Sequence, residues 1–397
     1  MPLIQGNALV RWAQIGFLIL LCAPWVMPNS KLYRQLLIAF LWLPALISLG
    51  YVSLRPRLPK LDLIAYGLFA GWTLLVWLLQ GEGAHIGKAK AVVYVSLSLL
   101  GVLLASRSAQ FTLERLLRWA VIFGGVGAAC SWLYFYGFSG SSLSKRLHAV
   151  GIWQTIIMAA HAVGALAVLG LGLFKARRDR RFCGYLLAVV VITGYCAYLI
   201  SSQTRGVWIA LVAGLSVFLI FVPWRARLLV CGLALVTAAA VVFYDPNLLL
   251  QRGVSYRPQL WHAGIDLIAQ HGLVGLGFAE FQISVTGIER TFKHPHNLFL
   301  DTGVRLGLIG LLLFLAVWLL AAWRAWQARS EPLGRASLAL WCFATVCLQT
   351  DGIGLWFKPN ADWLITWLPI ALSMVLAQRR ALQLQSSKAQ DPQVSCA

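Results

Sequence analysis

The run from Asn297 to Ala322, NLFLDTGVRLGLIGLLLFLAVWLLAA, carries only two charges, Asp301 and Arg305, in 26 positions. As a helix rising about 1.5 Å per residue, it is long enough to cross a hydrocarbon layer of about 30 Å. Similar apolar runs lie near residues 10–27, 36–54, 61–79, 91–105, 116–138, 150–174, 183–200, 206–222, 228–244, 336–350 and 361–377. The composition agrees with that reading. Of 397 residues 60% are apolar, about 238, which is what about twelve spans of roughly 20 residues require. Charged residues make up 12% of the chain, against about 25% in soluble domains, and the mean hydropathy is +0.76. A large water-soluble domain is excluded, and the expected fold is an all-α polytopic integral membrane protein with about twelve transmembrane helices.

The net charge is +20, from 33 Lys+Arg against 13 Asp+Glu. In a soluble protein such an excess suggests nucleic acid; in a membrane chain it reflects basic cytoplasmic loops and contacts with anionic membrane lipids, so no nucleic-acid partner is expected. Basic connections alternate with poorer ones: Arg55/Arg57/Lys60, Arg107/Arg115/Arg118, Lys175/Arg177/Arg178/Arg180/Arg181, Arg225/Arg227 and Arg324/Arg329/Arg335. With Arg11, Arg379, Arg380 and Lys388, one side holds 20 of the 33 basic residues, which puts both termini in the cytoplasm. The chain then divides into nine spans over 1–244, a long outer loop over 245–296, three spans over 297–377 and a cytoplasmic tail over 378–397. The eight cysteines include no CxxC pair and nearly all sit in apolar runs, so neither a metal site nor a disulfide framework is expected. No cleavable signal peptide is evident.

The outer loop is where chemistry is expected. It opens on the turn Asp245-Pro246-Asn247, and a short helix from Pro258 to His271 is expected within it, with Pro at its start and Gly272 as its stop. Trp261, Gly264, Ile265 and Ile268 share one face of that helix, which suits a helix lying along the membrane surface. Gly275-Leu276-Gly277 reads as a tight turn rather than a nucleotide site, since no strand precedes it. No two acidic residues are two positions apart, which disfavours a metal-dependent nucleotide-sugar transferase. The chain also has no Lys-Ser/Thr phosphate loop, no HExxH and no GxSxG.

What remains are basic and imidazole groups on the outer side. His294-Pro295-His296-Asn297 stands immediately before the tenth span, so His296 is expected at a helix N-terminus, where anions are attracted and an imidazole is suited to accept a proton. Leu300, Gly303, Gly307 and Gly310 follow on one narrow stripe of the helix and permit close packing of a neighbour. Arg205, in the segment Ser201 to Gly206 at the outer end of the eighth span, can bind phosphate oxygens in pairs without losing its charge. Arg252 and Arg257 in the loop can converge on the same place, and Arg290, Lys293 and Arg305 flank the histidines. Each of these can instead be a headgroup anchor or a loop ion pair.

Three motifs resemble a known family. His296-Asn297, nine residues, then Gly307-Leu308-Ile309-Gly310 looks like the H-[NSQ]-x9-G-x-x-G signature of the O-antigen ligase family, part of a superfamily of ligases and polymerases. Thr204-Arg205-Gly206-Val207-Trp208-Ile209 resembles its Arg-x3-Leu motif, with Ile209 in place of Leu. Arg257 and Trp261, followed by Gly275-Leu276-Gly277 and Phe281, are similar to the outer-loop pattern of the same superfamily. The resemblance covers roughly residues 200–311 together with the span count and topology.

This resemblance implies a GT-C-like, metal-independent, inverting glycosyltransferase of the Gram-negative inner membrane, without a cofactor and with a periplasmic active site. Its partners would be O-antigen linked to undecaprenyl pyrophosphate as donor and the lipid A-core oligosaccharide as acceptor. His296 would accept the proton of the attacking hydroxyl, and Arg205 and Arg257 would hold the pyrophosphate. Arg252, Arg290, Lys293 and His294 would assist in binding substrate phosphates. Three other readings stay open: an O-antigen polymerase, a protein O-oligosaccharyltransferase, and a lipid or solute transporter. The last calls for membrane-buried charges at midspan, which these spans nearly lack.

Overall fold

Helices that are apolar on every side must be covered by protein or by lipid. The computed structural model describes residues 2–80, 86–108, 112–174, 182–229, 231–232, 256–285, 291–352 and 354–390. Among them are nine helices long and apolar enough to cross a membrane: Asn7–Trp25, Ser30–Ser48, Lys60–Leu79, Ile86–Ala105, Leu113–Phe138, Ile156–Leu173, Gly184–Ser201, Leu298–Gln327 and Ala361–Gln385. The protein is all-α and polytopic; the described strands are the two-residue pair β1 (Ile283–Ser284) and β2 (Thr291–Phe292), antiparallel with Ile283 opposite Phe292.

Nine of the expected spans coincide with these helices. The run 206–222 is the shorter apolar helix Arg205–Leu219. The run 336–350 falls in the 19-residue helix Pro332–Thr350, whose hydropathy is diluted by Arg335, Gln349 and Thr350. The run 228–244 lies mostly outside the described residues, as do the turn at Asp245 and the end of the polar tail. The second span begins six residues earlier than expected. Asn29 caps it, its side chain accepting the Leu32 N–H at 2.8 Å, and the polar first turn Ser30 to Arg34 becomes helical. Pro44, which cannot donate to the preceding turn, is accommodated by a π turn over Ile38–Trp42.

The helices that position the site are α4 (Lys60–Leu79), α5 (Ile86–Ala105), α7 (Ile156–Leu173), α9 (Arg205–Leu219), α10 (Arg257–His271), α11 (Leu298–Gln327), α12 (Pro332–Thr350) and α13 (Trp367–Gln390). The apolar stretch of α13 is wholly buried, so the last helix is the axis of the bundle. Helix α11 packs on α4, α12 and α13, and its Phe314 and Trp318 are fully buried. Two ion pairs tie helices together at the end of α11 remote from His296. Arg324 donates to both oxygens of Asp62 on α4, at 3.2 and 2.5 Å, and Arg379 on α13 donates to Glu114. Each arginine comes from the expected basic side, and the fork geometry lets one guanidinium satisfy a whole carboxylate.

Helix α11 is broken within its first half, inside the expected glycine stripe. Gly307 has φ 66° and ψ −174°, a conformation open to glycine and closed to residues with a Cβ. The break strands backbone groups where lipid offers no partner, and the segment after α10 supplies them. Leu276 and Gly277 N–H donate to the Val304 and Arg305 carbonyls, both at 2.8 Å, and the Trp72 indole of α4 donates to the Leu306 carbonyl at 2.9 Å. In return, Leu308 and Ile309 N–H donate to the Gly272 and Leu273 carbonyls. Gly275 and Gly277, with φ 79° and 69°, make the expected tight turn, and the turn docks into the break. Gln80, just past α4, fixes its far side by accepting the Phe278 N–H at 2.7 Å. The other two glycines of the stripe do give close packing, Gly303 against Ile268 of α10 and Gly310 against Trp72.

A methyl group at Gly307 would run into the Leu273 backbone as well as force a left-handed conformation. Gly307→Ala is therefore expected to lose about 1–3 kcal/mol from backbone strain alone. Trp72→Phe, which orphans the Leu306 carbonyl, should cost about 1–3 kcal/mol. Thermal unfolding in detergent checks both; a Gly307→Ala midpoint equal to that of the wild type would contradict the break.

Candidate active site

The turn His294 to Asn297 is built to present an imidazole. Asn297 caps α11, its side chain accepting N–H bonds from Phe299 at 3.0 Å and Leu300 at 3.2 Å. His296 is therefore one residue before the cap, and two of the helix N-terminal donors that sequence assigned to an anion are taken by Asn297. His296 has φ 53°, and Gln203, two residues before α9, has φ 49°; among the described residues these are the non-glycine positions with positive φ. Such strain persists where surrounding structure fixes it, and it clusters at functional sites.

What fixes His296 is Asp351, the C-cap of α12, whose Oδ1 lies 2.7 Å from His296 Nδ1. An ionised carboxylate accepts only, so Nδ1 carries the proton of this bond and Nε2 is left as the acceptor nitrogen of the ring. The His296 side chain is 29% exposed and that of Asp351 10%, so the acceptor side faces out and the orienting side faces in. Burial pushes the Asp351 carboxyl up, but the hydrogen bond from His296 and the electrostatic influence of His161, His296 and Arg257 outweigh it and hold the group below its ordinary value. Asp351 stays ionised as a result. The neighbouring ring of His294 meets His296 edge to face at 4.0 Å. Burial first, then the charges at His296 and Arg305, push His294 down to about 4, and its Nδ1 has no hydrogen-bond partner among the described residues. His294 is thus a neutral imidazole at neutral pH.

The charge of Arg257 and the start of the helix that opens on Arg205 are brought to this pair. Arg205 is the first residue of α9, and the next residue, Gly206, abuts Thr350, the neighbour of Asp351. The turn before it is braced from the loop after α6 (Leu113–Trp132): Arg146 donates to the Ser202 carbonyl at 2.9 Å and to Thr204 Oγ1 at 3.1 Å. Arg257 opens α10 and is close enough for its charge to act on Asp351. The expected helix Pro258 to His271 is present with Gly272 as its stop; it packs on α11 through Gly264, against Leu300, while Leu260 packs with Ile283 and Val285, and Ile265, expected on the apolar face, is exposed. Arg252 and Arg290 lie outside the described residues. Lys293 is exposed and bonded to Glu280 at 3.0 Å, on the rim rather than beside His296.

A second charged group lies alongside. Arg305 Nε donates to both oxygens of the buried Asp301, at 3.0 and 3.2 Å, and its guanidinium lies 4.9 Å from the Phe281 ring. Lys88, in the first turn of α5, stands 3.9 Å over the Phe357 ring and interacts electrostatically with Asp301 and Arg305. The i,i+4 carboxylate explains an arginine inside an apolar helix. Sequence reasoning missed Asp351, Lys88 and Asp301. Asp351 is 55 positions from His296, and no local periodicity links them; Asp301 and Arg305 were separable as a pair by their spacing of four on a helix.

One consequence concerns pH and stability. The folded protein binds a proton at His294 less tightly than an unfolded chain does, whose value is 6.5. The stability this represents is present in full above 6.5 and is lost as pH falls towards about 4. The depressed Asp351 adds a second loss only below its ordinary 3.8. The thermal midpoint should therefore fall between pH 6.5 and about 4, and fall less in His294→Gln; equal slopes in the two proteins would contradict the assignment.

Comparison with known proteins points the same way. Residues 188–315 match the O-antigen ligase family, a region that contains Arg205, Arg257, His296 and the glycines of the α11 break but ends before Asp351. The chain is 27% identical over 371 residues to an O-antigen ligase of Pseudomonas aeruginosa, covering 91% of this chain and 90% of that protein. The resemblance read from the motifs is therefore matched on both counts: residues 188–315 are similar to the O-antigen ligase family, and most of the chain is similar to a protein of that name.

Proposed function

We propose that the protein transfers a polysaccharide from undecaprenyl pyrophosphate to a sugar hydroxyl of the lipid A-core oligosaccharide, at the periplasmic face of a Gram-negative inner membrane. The observation that supports this reading is the His296–Asp351 bond, with Arg257 close enough for its charge to act on Asp351 and the helix that opens on Arg205 starting against Thr350. An oriented imidazole beside two permanent cations is what displacement of a pyrophosphate by an alcohol needs.

In the proposed step the acceptor hydroxyl gives its proton to His296 Nε2 while its oxygen attacks the anomeric carbon. The bond from that carbon to the pyrophosphate oxygen breaks on the opposite side, so a single displacement inverts the configuration. Asp351 stabilises the imidazolium that forms, as a buried carboxylate does for a general-base histidine. The charge released on the pyrophosphate is taken up by Arg205 and Arg257. His294, neutral and adjacent, can hydrogen-bond a phosphate or the incoming hydroxyl. Lys293, Arg252 and Arg290 are proposed to draw the anionic lipids to the site. Breaking the bond from the anomeric carbon to the pyrophosphate, which leaves intact, supplies the driving force, so no nucleotide or cofactor is called for.

The test uses purified protein in liposomes with undecaprenyl-pyrophosphate-linked O-antigen and lipid A core, without nucleotide, followed by gel. Glycan should appear on the core with the wild type and fail to appear with His296→Ala. Arg205→Ala should raise the barrier by about 2.7–4 kcal/mol, a rate loss of roughly 100- to 1000-fold. An Arg205→Ala variant at the wild-type rate would remove that residue from the mechanism. Elongation of the lipid-linked glycan in place of transfer would make the protein a polymerase.

A further inference from the structure

A second histidine–aspartate pair lies out of reach of any substrate. His161, in the second turn of α7, is 1% exposed, and its Nδ1 is 3.2 Å from Asp362 Oδ1. Asp362 stands in the short 3-10 helix Ala361–Leu364 that leads into α13. Its backbone N–H donates to Asn360 Oδ1 at 3.1 Å, and its carbonyl accepts from Thr366 Oγ1 at 2.8 Å. A buried ionisable pair of this kind is a poor source of stability compared with apolar packing, so its place in the fold calls for another account.

The two aspartates bound one connecting segment, with Asp351 opening it and Asp362 closing it just before α13. Its described residues form the floor of the site. Gly352 packs against Leu298 at the start of α11, and Gly354, with φ 116°, lies against the Asp301 carboxylate. Trp356 stacks on Phe69 at 5.4 Å, and Phe357 lies beneath Lys88. The Cys347 thiol on α12 feels both carboxylates, and Asp351 feels His161, so the two pairs are neighbours in space.

We infer that His161 is a positioning residue: its bond to Asp362 anchors the far end of the 351–362 segment and so holds Asp351 at hydrogen-bonding distance from His296. Without that bond the Asp362 carboxylate is left unpaired in an apolar surround, and the segment shifts to find it water or a new partner. The shift reaches Asp351 because the segment is short and fastened at both ends. The inference rests on the reading of His296 as proton acceptor, yet its test reads the imidazole itself and not glycan transfer.

Diethyl pyrocarbonate acylates an unprotonated ring nitrogen, and peptide mass spectrometry of the whole protein in detergent gives the rate at His296 alone. A carboxylate on Nδ1–H raises the basicity of Nε2, so losing its orientation slows the reaction. His161→Ala should slow His296 acylation by about threefold to tenfold. Asp351→Asn should slow it as well, and the combined variant should be no slower than Asp351→Asn, because both act through one contact. His161→Asn, which keeps an N–H donor at the place of Nδ1, should react at nearly the wild-type rate. Should the alanine variant not fold, His161→Leu replaces it, filling the ring volume without the donor. Acylation at the wild-type rate in His161→Ala or His161→Leu would overturn the inference, as would losses that multiply in the combined variant. If these rates behave as expected while liposomes show no transfer, the proposed function fails and the positioning stands.

Discussion

A helix broken inside a membrane leaves carbonyls and amides that lipid cannot satisfy, and the site depends on how the break at Gly307 is closed. The segment Gly272 to Gly277 closes it with four backbone hydrogen bonds, and Trp72 adds a fifth. The segment between α10 and α11 is thereby tied to the bundle. The docked turn directly follows α10, so α10 is held across α11, and Arg257 at its start is held near Asp351. The same break leaves a short first section of α11, from Leu298 to Leu306, that carries the Asn297 cap, the Asp301–Arg305 pair and the preceding His296.

On that frame the site is assembled from elements far apart in sequence. His296 comes from the start of α11, Asp351 from the end of α12, Arg205 from the start of α9 and Arg257 from the start of α10. All four sit at helix ends, where a side chain can face outwards while its backbone stays tied to a rigid element. Left-handed backbone at Gln203 and His296 is the local cost of aiming Arg205 and the imidazole, and it is offset by the Arg146 brace and the Asp351 bond.

Much of this was legible in the sequence. Apolar run lengths identify most spans, because bilayer thickness imposes them, and Pro258 with Gly272 brackets α10 to within a residue. His296 and Arg205 stand out as polar groups at span ends, and Arg257 as a basic group in the longest polar stretch. Hidden from sequence were the contacts that join distant segments. Asp351 reads as one of several scattered acidic residues until α9 and α12 are packed together, and His161 reads as one polar residue in an apolar helix. The glycines misled in one respect. A stripe with helical spacing implies an unbroken helix, whereas Gly307 is there for its positive φ, and spacing alone does not separate a packing glycine from a conformational one.

The central claim is that His296 and Asp351 work as one unit, an oriented base. The most direct measurement is the transfer rate of His296→Ala, Asp351→Asn and the variant carrying both, each at saturating donor and acceptor. The account predicts that His296→Ala and Asp351→Asn each lose on the order of 100- to 10,000-fold in kcat, the usual worth of a placed general base. The double variant should be no slower than His296→Ala, because removing the orienter of an absent base changes nothing more. Asp351→Asn at the wild-type rate, or a double variant slowed by the product of the two single losses, would contradict it.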